Sequence, residues 1–139
     1  MRQYQKTIEA SGRPGGLTEI TNQIAGVVST SEIRTGLCTV FVQHTSASLV
    51  IQENADPSAR RDLEAFLRRL APEGDPGYTH TAEGTDDMPA HLRAALTSTS
   101  ETIPVVGGRL GLGTWQGLFL WEHRSRAPGR RLVVHISGD

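Results

Sequence analysis

The twelve residues His80-Thr81-Ala82-Glu83-Gly84-Thr85-Asp86-Asp87-Met88-Pro89-Ala90-His91 hold two imidazoles, three carboxylates and a flexible glycine. Imidazole and carboxylate together suit a borderline or hard divalent ion such as zinc, manganese or magnesium. They suit equally a general acid and base whose proton affinities are set apart by their surroundings. The composition permits either. The spacing matches no established metal motif such as the paired-His helix of zincins. Helix capping by Asp86 or Asp87 and solvation of loop acids account for part of the same density.

Further polar groups stand at the ends of apolar runs. In Gly36 to His44, alternation puts Cys38, Val40, Val42 and His44 on one face, so His44 closes an apolar row where a pocket rim or a hydrogen-bonded strand end is expected. Glu122-His123-Arg124 adds an acid, a base and an anion binder. Arg124 is suited to grip a phosphate through two parallel N–H bonds, or to pair with Glu122 at the surface. Gly111-Leu112-Gly113-Thr114-Trp115-Gln116-Gly117 has neither the dinucleotide-binding glycine spacing nor a P-loop lysine, so its glycines point to a bulge or close backbone approach. Trp115 offers a stacking face for a planar ligand or an interface aromatic.

The elements that must position these groups are short. Arg2 to Glu9 alternates as a first strand before a turn at Gly12 to Gly16. A first helix is expected over Thr18 to Val28, with Thr18 as its cap. Gly36 to His44 and Ala47 to Gln52 read as two strands or one bent strand. A second helix starts at Asp56-Pro57, lines Leu63, Phe66, Leu67 and Leu70 along one face, and ends near Ala71-Pro72. Its Arg60, Arg61, Arg68 and Arg69 form a solvated face. Glu73 to Asp87 is a long connection without periodicity, of the kind that carries function. A brief helix follows from Asp86 or Asp87 through Leu96. Val105 to Leu110 is a strand end and tight turn, and Leu112 to His123 and Arg131 to Ser137 are final strands, with His135 packed among its neighbours.

The bulk properties bound the answer. At 139 residues the chain is one domain, 1–139, too short for a full (β/α)8 barrel. Fourteen basic and fifteen acidic residues are interleaved, so no block of charge points to nucleic acid or an anionic membrane. The start lacks the apolar run of a signal peptide and no later stretch reaches membrane-span length, so a soluble, cytoplasmic protein is expected. Cys38, the one cysteine, excludes an internal disulfide and a thiolate metal cluster; a metal would need His and carboxylate ligands.

Taken together, Gln43-His44-Thr45-Ser46-Ala47-Ser48, Glu53-Asn54-Ala55-Asp56-Pro57, the Glu83 to His91 run, Gly113-Thr114-Trp115-Gln116-Gly117 and Glu122-His123-Arg124 closely resemble the YjbQ-like family, labelled secondary thiamine-phosphate synthase. The resemblance spans nearly the whole chain, with the motifs in order. It implies an α+β subunit, a mixed β-sandwich with about three helices, assembled as a homotrimer with polar pockets near subunit boundaries. Carried over position by position, the family's polar residues fall on His44, Ser46, Asn54, His80, Glu83, Asp86, Asp87, His91, Gln116, Glu122 and His123. The implied reaction joins hydroxymethylpyrimidine diphosphate to a thiazole phosphate and expels pyrophosphate. On this reading His44, His80 and His91 hold a divalent metal or the leaving group and Glu83 or Asp87 serves as base, with Glu122 and His123 also catalytic. Ser46, Asn54, Asp86, Trp115, Gln116 and Arg124 bind substrate. The alternatives are a metal-dependent hydrolase or transferase on another phosphorylated metabolite, and a non-enzymatic trimer that binds a metal or an anion. In this chain Thr79 and Thr81 flank His80 where relatives often place acids, which lowers the local negative charge.

Overall fold

The computed structural model describes residues 1–139. Eight strands and three helices follow in the order β1 (Arg2–Ala10), β2 (Leu17–Glu19), α1 (Thr21–Ser31), β3 (Thr35–Val42), β4 (Ala47–Glu53), α2 (Pro57–Leu70), α3 (Asp87–Leu96), β5 (Ser100–Val106), β6 (Arg109–Leu110), β7 (Gln116–Glu122) and β8 (Arg130–Gly138). Side-chain alternation divides the strands between two environments: on β3, Cys38, Val40 and Val42 are buried while Leu37 and Phe41 face outward. Five strands pair in the order β1-β8-β3-β5-β6 and three in the order β2-β7-β4.

The inner faces of both sheets, joined by Ile24, Val27 and Val28 of α1, enclose the main core, and removing that apolar surface from water drives the layers together. The α+β sandwich that the family resemblance implies is therefore the fold, with every strand pairing antiparallel. Outside the three-stranded sheet, Leu67 of α2 packs on Leu17, Phe119 and Trp121. Buried Glu64 fastens the same helix by accepting the Leu17 N–H at 2.7 Å. The outer face of the five-stranded sheet carries no helix, and Leu37 and Phe41 stay 51% and 46% exposed there. No helix is long and apolar enough to cross a membrane.

Some local expectations shift. The first helix begins at Thr21 rather than Thr18, because Leu17–Glu19 is captured as a strand by Phe119–Trp121; Thr18 does not cap a helix, and its hydroxyl accepts the Arg13 N–H at 3.0 Å. On α2 the cap is as expected, with Asp56 accepting the Ser58 N–H at 2.9 Å, but only half the apolar stripe is used. Phe66 and Leu70 remain 55% and 54% exposed, since the sheet patch beneath is only as wide as Leu17, Phe119 and Trp121. The turn after Val106 is a tight hairpin in which Gly107 and Gly108 take φ 58° and 79°, values that suit glycine. The strand expected from Leu112 starts only at Gln116, so Trp115 sits before it in an exposed turn.

Candidate metal centre

Asp87 opens α3 and His91 follows four residues later, so helical geometry puts both on one face. The preceding loop turns back at Gly84, whose φ of 107° an L side chain rarely adopts, and so carries His80 over the same face. Asp87 Oδ2 then lies 2.8 Å from His80 Nε2 and 3.1 Å from His91 Nε2. The two rings meet edge to face with centroids 5.3 Å apart. One donor atom from each of the three residues lies within 4.8 Å of the others, with Asp87 buried, His91 half-buried and His80 exposed. The group is thus rooted in the protein and open on the His80 side.

A second layer fixes the donors. Arg124, just beyond β7, donates from Nη1 to Asp87 Oδ1 at 2.8 Å, from Nε to Asp86 Oδ2 at 3.0 Å, and from Nη2 to the Glu83 carbonyl at 3.3 Å. Asp86 also accepts the Ser125 N–H and hydroxyl, each at 2.9 Å. The Ser125 N–H, then Arg124, hold the Asp86 carboxyl far below the usual carboxylate range, and Asp86 in turn raises Arg124. Burial pushes Asp87 up, but the His80 hydrogen bond and the charges of His91 and Arg124 outweigh it and lower its pKa. His91 Nδ1 donates to the Thr45 carbonyl at 3.1 Å, which turns Nε2 toward Asp87 and the open side of the group. Two imidazoles and one carboxylate, with Asp87 and His91 braced from behind, fit a divalent cation of the zinc type with coordination positions left for water or substrate.

Residues 6–139 match the family model for UPF0047 protein, YjbQ-like. The chain is 56% identical to a UPF0047 protein of Synechocystis sp. over 138 residues, covering 99% of this chain and 94% of the relative. The YjbQ protein of Escherichia coli O157:H7 is 39% identical, covering 98% and 99%. The chain belongs to the YjbQ-like UPF0047 family. Among solved structures, a YbjQ-like protein from Sulfolobus solfataricus P2 superposes with a TM-score of 0.89 at 28% identity, covering 99% of both chains. A UPF0047 family protein from Clostridium acetobutylicum gives 0.83 at 34%, covering 96% and 99%.

In this YjbQ-like chain the structure gathers His80, Glu83, Asp86, Asp87, His91 and Arg124 and leaves His44 outside. β3 ends at Val42, and His44 Nε2 accepts the Arg131 N–H at 2.8 Å. Burial, then the charges of Arg130 and Arg131, lower the His44 pKa. The three donor atoms that converge belong to His80, Asp87 and His91, and His44 is not among them. Arg124 does not pair with the Glu122 side chain through its guanidinium; Glu122 is fully buried and receives Arg130 Nε at 2.7 Å. Arg130 also reaches the Ser46 carbonyl and hydroxyl at 3.2 and 3.0 Å. His123 is buried against Trp121, with Nε2 2.8 Å from the Ser48 hydroxyl. Its pKa is pushed down to about 3 by burial, then by Arg93 and Arg130. Ser46, Glu122 and His123 are buried, and their side chains bond to Arg130 or Ser48 rather than to His80, Asp87 or His91.

Asn54, Trp115 and Gln116 lie at the other end of the β4·β7 pair. Gln116 sits opposite Glu53 and Glu122 opposite Ala47, a separation of about 20 Å along an extended strand. There Asn54 Nδ2 donates to Glu19 Oε2 at 3.0 Å, Gln116 Oε1 accepts the Gly113 N–H at 2.7 Å, and Trp115 is 63% exposed. The sequence reading missed Thr45, Ser125, Arg130 and Arg93. Arg93 is buried on α3, donates from Nη2 to the Ala71 carbonyl at 2.7 Å and leaves Nε without a partner. It thereby ties the end of α2 to α3, the two ends of the loop that carries His80. Local pattern marks none of the four, because each acts on a residue far away in the chain.

Proposed function

We propose that this YjbQ-like protein is a divalent-metal-dependent enzyme acting on a small phosphorylated metabolite, with His80, Asp87 and His91 as the metal ligands. The convergence of their three donor atoms within 4.8 Å carries the reading. When bound, such an ion supplies Lewis acidity toward a phosphate oxygen and raises the acidity of water. The chain's own groups do the rest. Arg124 occupies Asp87 Oδ1 and so dedicates Oδ2 to the ligand side. Thr45 holds the His91 ring in place through Nδ1. Both Asp87 oxygens are engaged, so the proton-handling role passes to Glu83, whose exposed carboxylate has no side-chain partner and whose carbonyl is held by Arg124.

The reaction implied by the family resemblance is the first to test: the thiazole nitrogen attacks the pyrimidine methylene carbon, the bond from that carbon to the diphosphate oxygen breaks, and pyrophosphate leaves. A second reading, metal-assisted hydrolysis or transfer on another phosphorylated metabolite, is favoured by Arg124. Its guanidinium is committed to Asp86 and Asp87 and is not free to receive pyrophosphate. The assembly proposed is a homotrimer in the cytoplasm. The uncovered Leu37, Phe41 and Val106 support burial against other copies, and an unpaired Cys38 suits a reducing compartment.

The test is metal content and product formation by stripped and reconstituted protein, beside His91→Ala. One equivalent of ion per chain is expected, with pyrophosphate or phosphate release that depends on it, both lost in the variant. Metal bound without turnover of any phosphorylated substrate selects the non-enzymatic trimer. Metal retained by the variant removes the ligand set.

A further inference from the structure

The largest concavity, about 970 Å³, lies away from the metal centre between α1 and the β5–β6 hairpin. None of the residues around His80, Asp87 and His91 lines it. Val28 and Ile33, both buried in the main core, supply its apolar floor, and half-buried Leu110 and Leu112 continue it up one wall. The other character of the groove comes from two guanidinium groups. Arg34 enters just after α1, and Arg109 opens β6 directly behind the Gly107-Gly108 turn. Neither side chain takes part in any of the ion pairs of the fold. Glu32 is the one acid in the wall, so two positive charges less one negative leave a net charge of +1 facing the groove. A concavity of this size, apolar beneath and singly positive at the lip, has the make-up of a small-molecule pocket.

We infer that this groove binds a small amphipathic carboxylic acid, its carboxylate held by Arg34 and Arg109 and its apolar body laid on Ala25, Leu110 and Leu112. The planar fork of a guanidinium matches both oxygens of a carboxylate. A single negative charge satisfies the lip, while a dianion would meet Glu32 uncompensated. The glycine turn leaves room for Arg34, whose Nη1 lies against Gly108 where a Cβ would stand 3.5 Å from it. Gln116 borders the same concavity and offers an amide to a polar substituent on the acid. The site rests on none of the residues assigned to the metal centre, so it stands or falls independently of the enzymatic reading.

Octanoate is the probe, titrated into isotopically labelled, metal-stripped full-length chain and followed by amide chemical shifts and calorimetry. Saturable shifts are expected at residues 28–34 and 107–112. Octanol, which lacks the charge, should bind roughly tenfold more weakly or worse, the worth of one charged hydrogen-bond set, and acetate should bind roughly tenfold more weakly or worse through the apolar burial it lacks. Arg34→Gln and Arg109→Gln should each weaken octanoate by about the same factor, and Leu112→Gln should do so through the tail. Circular dichroism of these surface variants confirms that the fold is kept. The inference is overturned by undiminished binding in the double arginine variant, by shifts that map elsewhere, or by failure to saturate at millimolar octanoate. Self-association of the chain that covers the same amides and excludes octanoate also overturns it.

Discussion

Arg124 and Asp87 are joined by a 2.8 Å contact between Nη1 and Oδ1, which leaves Oδ2 alone to face both imidazoles. One carboxylate is thereby divided between a permanent cation and the open side of the group. Arg124→Met frees Oδ1, lets the carboxylate rotate and leaves Asp86 held by Ser125 alone. Loss of such a supporting contact lowers metal affinity about 10- to 100-fold. Competition with a chromophoric chelator measures it, and an affinity equal to that of the parent rejects the supporting role.

Glu83 is distinguished from its acidic neighbours by freedom: Asp86 and Asp87 are both tied to Arg124, whereas the Glu83 side chain is exposed and unbonded. Glu83→Gln is expected to cut turnover by about a hundredfold or more, the usual worth of a positioned general base. Metal content and melting temperature should stay at the parent values. A variant with full turnover moves the proton-handling role elsewhere.

His123 makes stability depend on pH. Its pKa falls from an ordinary 6.5 to about 3 in the fold, so the unfolded chain takes up a proton that the folded chain refuses. The stabilisation is complete above about pH 6.5 and is lost on acidification, with a slope of about 1.4 kcal/mol per pH unit for one proton. Urea titrations between pH 7 and 4 should show that slope in the parent and its reduction in His123→Gln. Parallel curves for the two proteins defeat the assignment.

The Glu122 and Arg130 pair is 0% and 4% exposed. Glu122→Gln leaves a buried guanidinium without its counter-charge, and breaking one side of a buried pair costs about 3–5 kcal/mol. Replacing both by apolar residues of similar size should recover much of that loss. Denaturant midpoints for the single and double variants decide it: a single variant as stable as the parent shows that Ser46 and water suffice for Arg130.

Much of this was legible locally. The Asp56-Pro57 start of α2 and the alternation on β3 needed no knowledge of distant residues, and the chemically dense run from His80 to His91 is the segment in which Asp87 meets both imidazoles. What local pattern lacked was register. Leu17–Glu19 is a strand only because β7 lies beside it, so a helical spacing that included Leu17 placed the first helix too early. His44 extended an apolar row on paper, yet the strand stops at Val42 and the ring turns to the Arg131 N–H. The acids that Arg124 pairs with, 37 and 38 residues earlier in the chain, meet it only after β7 has been placed, so local pattern offers it only Glu122 or an anion. Family resemblance grouped Gln116 with Glu122, while the extended strand between them holds them apart.

That strand pair has a further consequence. β4 and β7 stay in step over seven pairs, Ala47 with Glu122 through Glu53 with Gln116, without a bulge. A paired, unbroken ladder is stiff, so it behaves as a spacer bar of fixed length. An occupant of the groove beside Gln116 and a cation beside Asp87 sit at opposite ends of that bar, beyond mutual contact and beyond about two screening lengths at physiological salt. Their binding free energies should simply add, each isotherm unaltered by saturation of the other.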